Sequence, residues 1–143
     1  MVAVLISTHG PTAQSLIVSA EMICGKQTLC EAVPFLMGQS LDDFQQQIEN
    51  HLASFAQQGE AILCLVDLKG GTPFNTTAQL MASYPNLEII TGVNIPMLLA
   101  TFMLREQLQL DDLLPEVIKA SMEGIEQINI ASMTTNSDQD EDF

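Results

Sequence analysis

Basic residues are scarce in this chain. Four lysines and arginines stand against 18 acidic side chains, a formal net charge of −14 over 143 residues. So little positive charge argues against nucleic acid as a partner and against attraction to an anionic membrane surface. It favours solubility, or encounter with a basic protein, and the charge alone does not choose between them. Long hydrophobic runs are also missing. The longest, Met97 to Leu104, is too short to cross a bilayer, so no membrane insertion is expected. The apolar opening Met1 to Ile6 lacks a basic flank and is cut short by His9-Gly10-Pro11, so it is not read as a targeting segment. Cys24, Cys30 and Cys64 are odd in number and form no Cys-x-x-Cys pair. They read as reduced, mostly buried thiols of a cytoplasmic protein. The only two histidines, His9 and His51, lie far apart without ligand spacing, so no metal site is expected. No Gly-x-x-x-x-Gly-Lys-Ser/Thr pattern occurs, so neither a bound nucleotide nor another cofactor is called for.

What is present is an alternation of strand and helix signals in a chain that is 47% hydrophobic, enough for one domain core. Val2–Ser7, Leu29–Leu36, Ala61–Val66 and Leu87–Thr91 read as strands, the first and third as continuous apolar runs covered on both faces. Pro34 cannot donate to a ladder, which places the second strand at an edge. Helices follow from Pro11 to Gly25, from Leu41 to Phe55 with Ser40 as cap, and from Pro73 with Thr72 as cap. Two more run from Pro96 to about Leu108 and from about Asp112 to Glu123. The fourth is apolar nearly all round, so more than one side of it needs cover, and a subunit interface is the expected source. Glu126–Ala131 fits a short final strand. The domain is expected to span 1–131, with 132–143 an acidic, disordered tail. This order predicts an α/β fold with a doubly wound, mostly parallel sheet in the order 2-1-3-4. Its topological switch point lies between strands 1 and 3.

That winding directs attention to the segments after those two strands, Thr8-His9-Gly10 and Asp67-Leu68-Lys69-Gly70-Gly71-Thr72. Adjacent strands lie about 5 Å apart, so His9 and Asp67 are expected to meet. A carboxylate on Nδ1 fixes the tautomer, frees the Nε2 lone pair as a nucleophile and stabilises charge as Nε2 attacks phosphorus. Helices opening at Pro11 and Pro73 aim their amino ends at the same crevice, which suits an anion. Gly10, Gly71 and Thr72 are the expected phosphate-binding set, Gly70 and Gly71 allowing close backbone approach and Thr72 adding a hydroxyl. Lys69 is available to steer phosphate, although a single exposed lysine is usually only that. His51 reads as a boundary residue, and Met22, Phe35 and Met37 as core or rim.

Thr8-His9-Gly10, Ala20-Glu21-Met22, Asp67 to Asn75 (DLKGGTPFN) and Thr91 to Leu98 (TGVNIPML) resemble the EIIA component of the mannose-type sugar phosphotransferase system. The likeness runs through residues 1 to 131 in order. It implies a phosphotransferase component in which His9 is phosphorylated on Nε2, Asp67 is its hydrogen-bonded partner and Thr72 contacts the phosphoryl group. It implies HPr as donor and EIIB as acceptor, in a membrane-associated transport complex. It also implies a homodimer whose short antiparallel fifth strand is exchanged between subunits. Some relatives fuse EIIB through an Ala/Pro-rich linker; the acidic tail here leads to the expectation of a separate EIIB. Position 69 holds other residues in relatives, including tryptophan, and Pro11 is also replaced there. The phosphocarrier subunit of dihydroxyacetone kinase is similar and is the alternative, but its turn after strand 3 usually reads Met-Gly-Ser.

Overall fold

In the computed structural model, which describes residues 1–136, β1 (Ala3–His9), β2 (Cys30–Phe35), β3 (Ile62–Val66) and β4 (Leu87–Thr91) form one sheet in the order β2-β1-β3-β4. All three pairings are parallel. The helices are α1 (Thr12–Cys24), α2 (Leu41–Gln57), α3 (Thr72–Leu80), α4 (Ile95–Leu104), α5 (Leu110–Glu123) and α6 (Ile130–Asn136), with a 3-10 turn at Met81–Ser83. The architecture and strand order match the expectation from the sequence, and Pro34 lies on the edge strand, opposite Thr8.

Helices cover both faces of the sheet, which is why its inner strands are apolar throughout. Val4 and Ile6 of β1 and Leu63 and Leu65 of β3 pack with Ile17 of α1, Leu98 of α4 and Val117 of α5. Ala3, Leu5, Ile62, Cys64 and Val66 pack on the other face with Phe44, Ile48 and Leu52 of α2 and Leu80 of α3. Ser40 caps α2, its Oγ accepting the Asp43 N–H at 3.1 Å. Asn94 caps α4 by accepting the Met97 N–H at 2.9 Å.

The cover for α4 comes largely from α1 and α5 of the same chain, which share one core with it. Met103 is its exposed residue, at 65%. The helix stops at Leu104, short of Leu108, and Arg105 turns inward. Arg105 is 2% exposed. Its guanidinium donates to Val2 O at 3.2 Å, Leu29 O at 3.0 Å, Gln27 Oε1 at 2.9 Å and Thr28 O, with the Phe102 ring 5.5 Å away. One side chain therefore ties the start of β1 to the loop entering β2, where Leu29 takes a left-handed φ of +47°.

One local expectation, the cap of α3, is corrected, and the segment after Glu123 takes the following form in the single chain. Thr72 is the first residue inside α3; the cap position is Gly71, with extended backbone and no side-chain bond. Residues 126–131 form no strand within this chain. A strand requires a ladder, whereas Asn129 Oδ1 accepts the Ser132 N–H at 2.8 Å and Ser132 Oγ accepts the Asn129 N–H at 3.0 Å. This reciprocal cap starts α6. The helix crosses the anticipated boundary at 131, so 132–136 are helical; the remainder of the expected acidic tail, including Asp138, Asp140, Glu141 and Asp142, lies outside the described residues.

Candidate functional site

Ser7 of β1 pairs with Val66 of β3, so the chain leaves the sheet at two neighbouring carboxyl ends. His9 and Asp67 stand there. Asp67 Oδ2 lies 2.8 Å from His9 Nδ1 and also accepts the His9 main-chain N–H at 3.0 Å. An ionised carboxylate only accepts, so Nδ1 carries the proton, and in the neutral form of the ring Nε2 keeps its lone pair. Burial pushes the Asp67 carboxyl up. The bonds from the His9 amide and imidazole, with the charge of that ring, outweigh burial and hold it below its ordinary value. Asp67 Oδ1 is buried and meets no hydrogen-bond partner among the described residues.

Gly71 sets the other side of the imidazole. A Cβ at this position would lie 2.7 Å from His9 Cε1 and 3.3 Å from Nε2. The Nε2 edge of the ring therefore rests against the amino end of α3. The first bond back into that helix is from Asn75 N to Gly71 O, at 2.9 Å. The N–H groups of Thr72 and Phe74 accordingly have no partner inside the helix. The preceding turn is held by Asn75 Nδ2 donating to Gly70 O at 3.1 Å, and Gly70, at φ +87°, is where a left-handed backbone requires glycine. At the start of α1, Thr8 Oγ1 accepts the Ala13 N–H at 2.8 Å.

Gly10 and Gly71 differ from expectation in one respect. The Gly10 N–H is taken up by Phe35 O at 2.8 Å, and the Gly71 N–H by Leu68 O at 3.3 Å. Of the three residues expected to hold phosphate, Thr72 is the one whose main-chain donor stays open. Its side chain lines a hollow shared with Gln45, Asn75 and Gln79. Phe35 meets the His9 ring edge-on, with centroids 6.2 Å apart and planes at 75°, and is backed by Phe44 at 5.0 Å. Met22 and Met37 are exposed, and His51 is half-buried on α2. Lys69 lines a groove of about 510 Å³ at the carboxyl end of β4, together with Phe74, Gly92, Met97, Ile118 and Met122; His9 does not line it. Among the described residues no three His, Cys, Asp or Glu side chains converge as a metal would need, and no helix is long and apolar enough to cross a membrane. Sequence reasoning missed the steric part played by Gly71. Its signal was present: two adjacent glycines, of which a single left-handed turn position needs only one.

A parallel sheet wound in this order, with a carboxylate-held imidazole beside a helix amino terminus at its switch point, is an α/β domain suited to chemistry at one histidine nitrogen. The family model described as the fructose IIA component of the phosphotransferase system (PTS) matches residues 3–118. The PTS fructose-specific EIIA component of Bacillus subtilis (strain 168) is 34% identical over 146 residues, covering 97% of this chain and 99% of its own length. The PTS mannose-specific EIIAB component of Escherichia coli (strain K12) is 33% identical over 125 residues, 87% of this chain; the chain spans 38% of that longer protein. The crystal structure of a PTS EIIA component from Streptococcus agalactiae superposes with a TM-score of 0.82 at 30% identity, covering 92% of this chain and 99% of that one. The chain belongs to the EIIA family of mannose-type sugar phosphotransferase systems, and is a phosphotransferase component.

Proposed function

We propose that His9 is the phosphoryl acceptor: it takes a phosphoryl group from phospho-HPr onto Nε2 and passes it to an EIIB protein, for coupled sugar uptake and phosphorylation. The observation that carries this reading is the 2.8 Å contact between His9 Nδ1 and Asp67 Oδ2, which selects the Nδ1–H tautomer and so gives the neutral ring its lone pair on Nε2. As Nε2 attacks, the N–P bond forms while the bond from phosphorus to the donor breaks, the electron pair leaving with the donor. The ring becomes cationic with its proton still on Nδ1, and the Asp67 carboxylate neutralises it in place. The Nε2 edge lies beside the open first turn of α3, so the Thr72 and Phe74 amides and the helix dipole face the incoming oxygens. Asp67 serves as the positioning acid and Thr72 as the phosphate donor; positioning and charge are most of what phosphoryl transfer requires.

The same reading takes the protein as a homodimer in which residues 126–131 of each copy, unpaired or in the first turn of α6 in the single chain, extend and pair along the other's β4. Supporting it, the outer edge of β4 has no ladder partner among the described residues, and Ile125, Ile128 and Ile130 are 57–84% exposed.

Incubation with phosphoenolpyruvate, the general phosphotransferase enzyme and HPr tests the central claim. An acid-labile, base-stable phosphate should appear on the wild-type chain and be absent from His9→Ala. A wild-type chain that stays unlabelled at His9 ends this reading.

A further inference from the structure

We propose that Gly71 is a positioning residue for the imidazole: its missing side chain is what lets His9 contact Asp67 and the amino end of α3 at the same time. The inference rests on the reading of His9 as phosphoryl acceptor and adds how its ring is aimed.

The backbone of Gly71 is at φ −78°, ψ 170°, extended geometry that any residue adopts. Unlike Gly70 at φ +87°, it has no conformational need for glycine. Its main-chain N–H is bonded internally, so donation to a ligand does not explain it either. What is special at position 71 is contact. The direction a side chain would take runs into the Cε1–Nε2 edge of His9, with a Cβ 2.7 Å from Cε1. Ordinary van der Waals approach begins at 3.4 Å, so an alanine there forces about 0.7 Å of displacement. His9 has little freedom to yield. Its Nδ1 is held by Asp67 at 2.8 Å, and Phe35 meets the ring edge-on. The ring has to give up the Asp67 bond, the seat on α3, or both.

Gly71→Ala should therefore keep the fold and impair the transfer. A misplacement near 1 Å costs up to about 10²-fold in rate, so single-turnover transfer from phospho-HPr should slow by about 10- to 100-fold. The KM for phospho-HPr should change less than about twofold, since the substitution removes no side chain that could bind the donor. The NMR resonance of the His9 Nδ1 proton should shift or broaden, a readout that a merely structural glycine would not move. In the wild-type protein, His9 Hε1 should show a strong NOE to a Gly71 α proton, a measurement independent of whether the variant folds. An absent NOE, or a Gly71→Ala protein with wild-type rate and imidazole resonances, overturns the inference. A wild-type protein unlabelled at His9 instead overturns the reading beneath it.

Discussion

Replacing Asp67 by asparagine removes one charge and almost no volume, and the geometry sets out its consequences. Oδ2 receives two donors, the His9 amide and Nδ1–H, while Oδ1 is buried without a partner among the described residues. An asparagine oxygen in the Oδ2 position keeps both bonds but buries an unsatisfied NH2 group where Oδ1 was. The opposite orientation turns an NH2 toward two donors and drives the proton from Nδ1 to Nε2, which removes the nucleophile. The first orientation loses only charge. At an effective dielectric of about 20, opposite charges about 4 Å apart attract by about 4 kcal/mol. His9 is 49% exposed and Asp67 28%, so solvent screening takes roughly half of that, leaving about 2 kcal/mol. This corresponds to a fall of about 30-fold in phosphoryl transfer to His9, and the tautomer change would deepen it. Rapid-quench measurement with radiolabelled phospho-HPr reads the rate directly. A rate within twofold of wild type would refute the role given to the carboxylate.

The lowered pKa of Asp67 fixes a pH dependence. The folded carboxyl holds its proton less tightly than the unfolded one, so its stabilisation is complete above the ordinary value of 3.8 and fades as pH falls toward the folded value. In urea titrations, the gap between wild type and Asp67→Asn should narrow as pH drops below about 4, leaving the pH-independent cost of the buried NH2. Arg105→Met takes the guanidinium donors from the carbonyls of Val2 and Thr28, and leaves Leu29 O with the Val4 N–H alone; it should cost about 3 kcal/mol in urea unfolding. Retained wild-type stability would mean these carbonyls find other donors. Burial pushes the Cys30 and Cys64 thiols up to about 12, so about one in 10⁴ of each is thiolate at pH 8. Iodoacetamide should modify Cys24 first in the folded protein, with mass spectrometry locating the adduct.

The sheet was legible because its signals are local and redundant. Apolar runs at Val2–Ser7 and Ala61–Val66 are short and rich in branched residues, which fits doubly covered strands, and Pro34, with no N–H for a ladder, fits an edge. Those facts, with crossover handedness, bring His9 next to Asp67 before any coordinates exist. The rest depended on neighbours distant in sequence. Arg105 follows an apolar helix and looks like a surface residue until the loop at 27–29 is seen to present its carbonyls to it. Gly10 was expected to face phosphate, yet its amide is claimed by Phe35, a residue on another strand. Residues 126–131 carry a strand-like composition, but pairing is decided by what lies alongside, whereas the cap between Asn129 and Ser132 is decided within four residues.

The double grip of Asp67 on one residue carries a further consequence. Because the same oxygen holds the His9 main chain as well as its ring, the last residue of β1 is pinned at two points to the segment that follows β3. Backbone and imidazole are thereby referenced to a single atom, so the aim of the ring is set by the fold and not by the rotamer freedom of an exposed side chain.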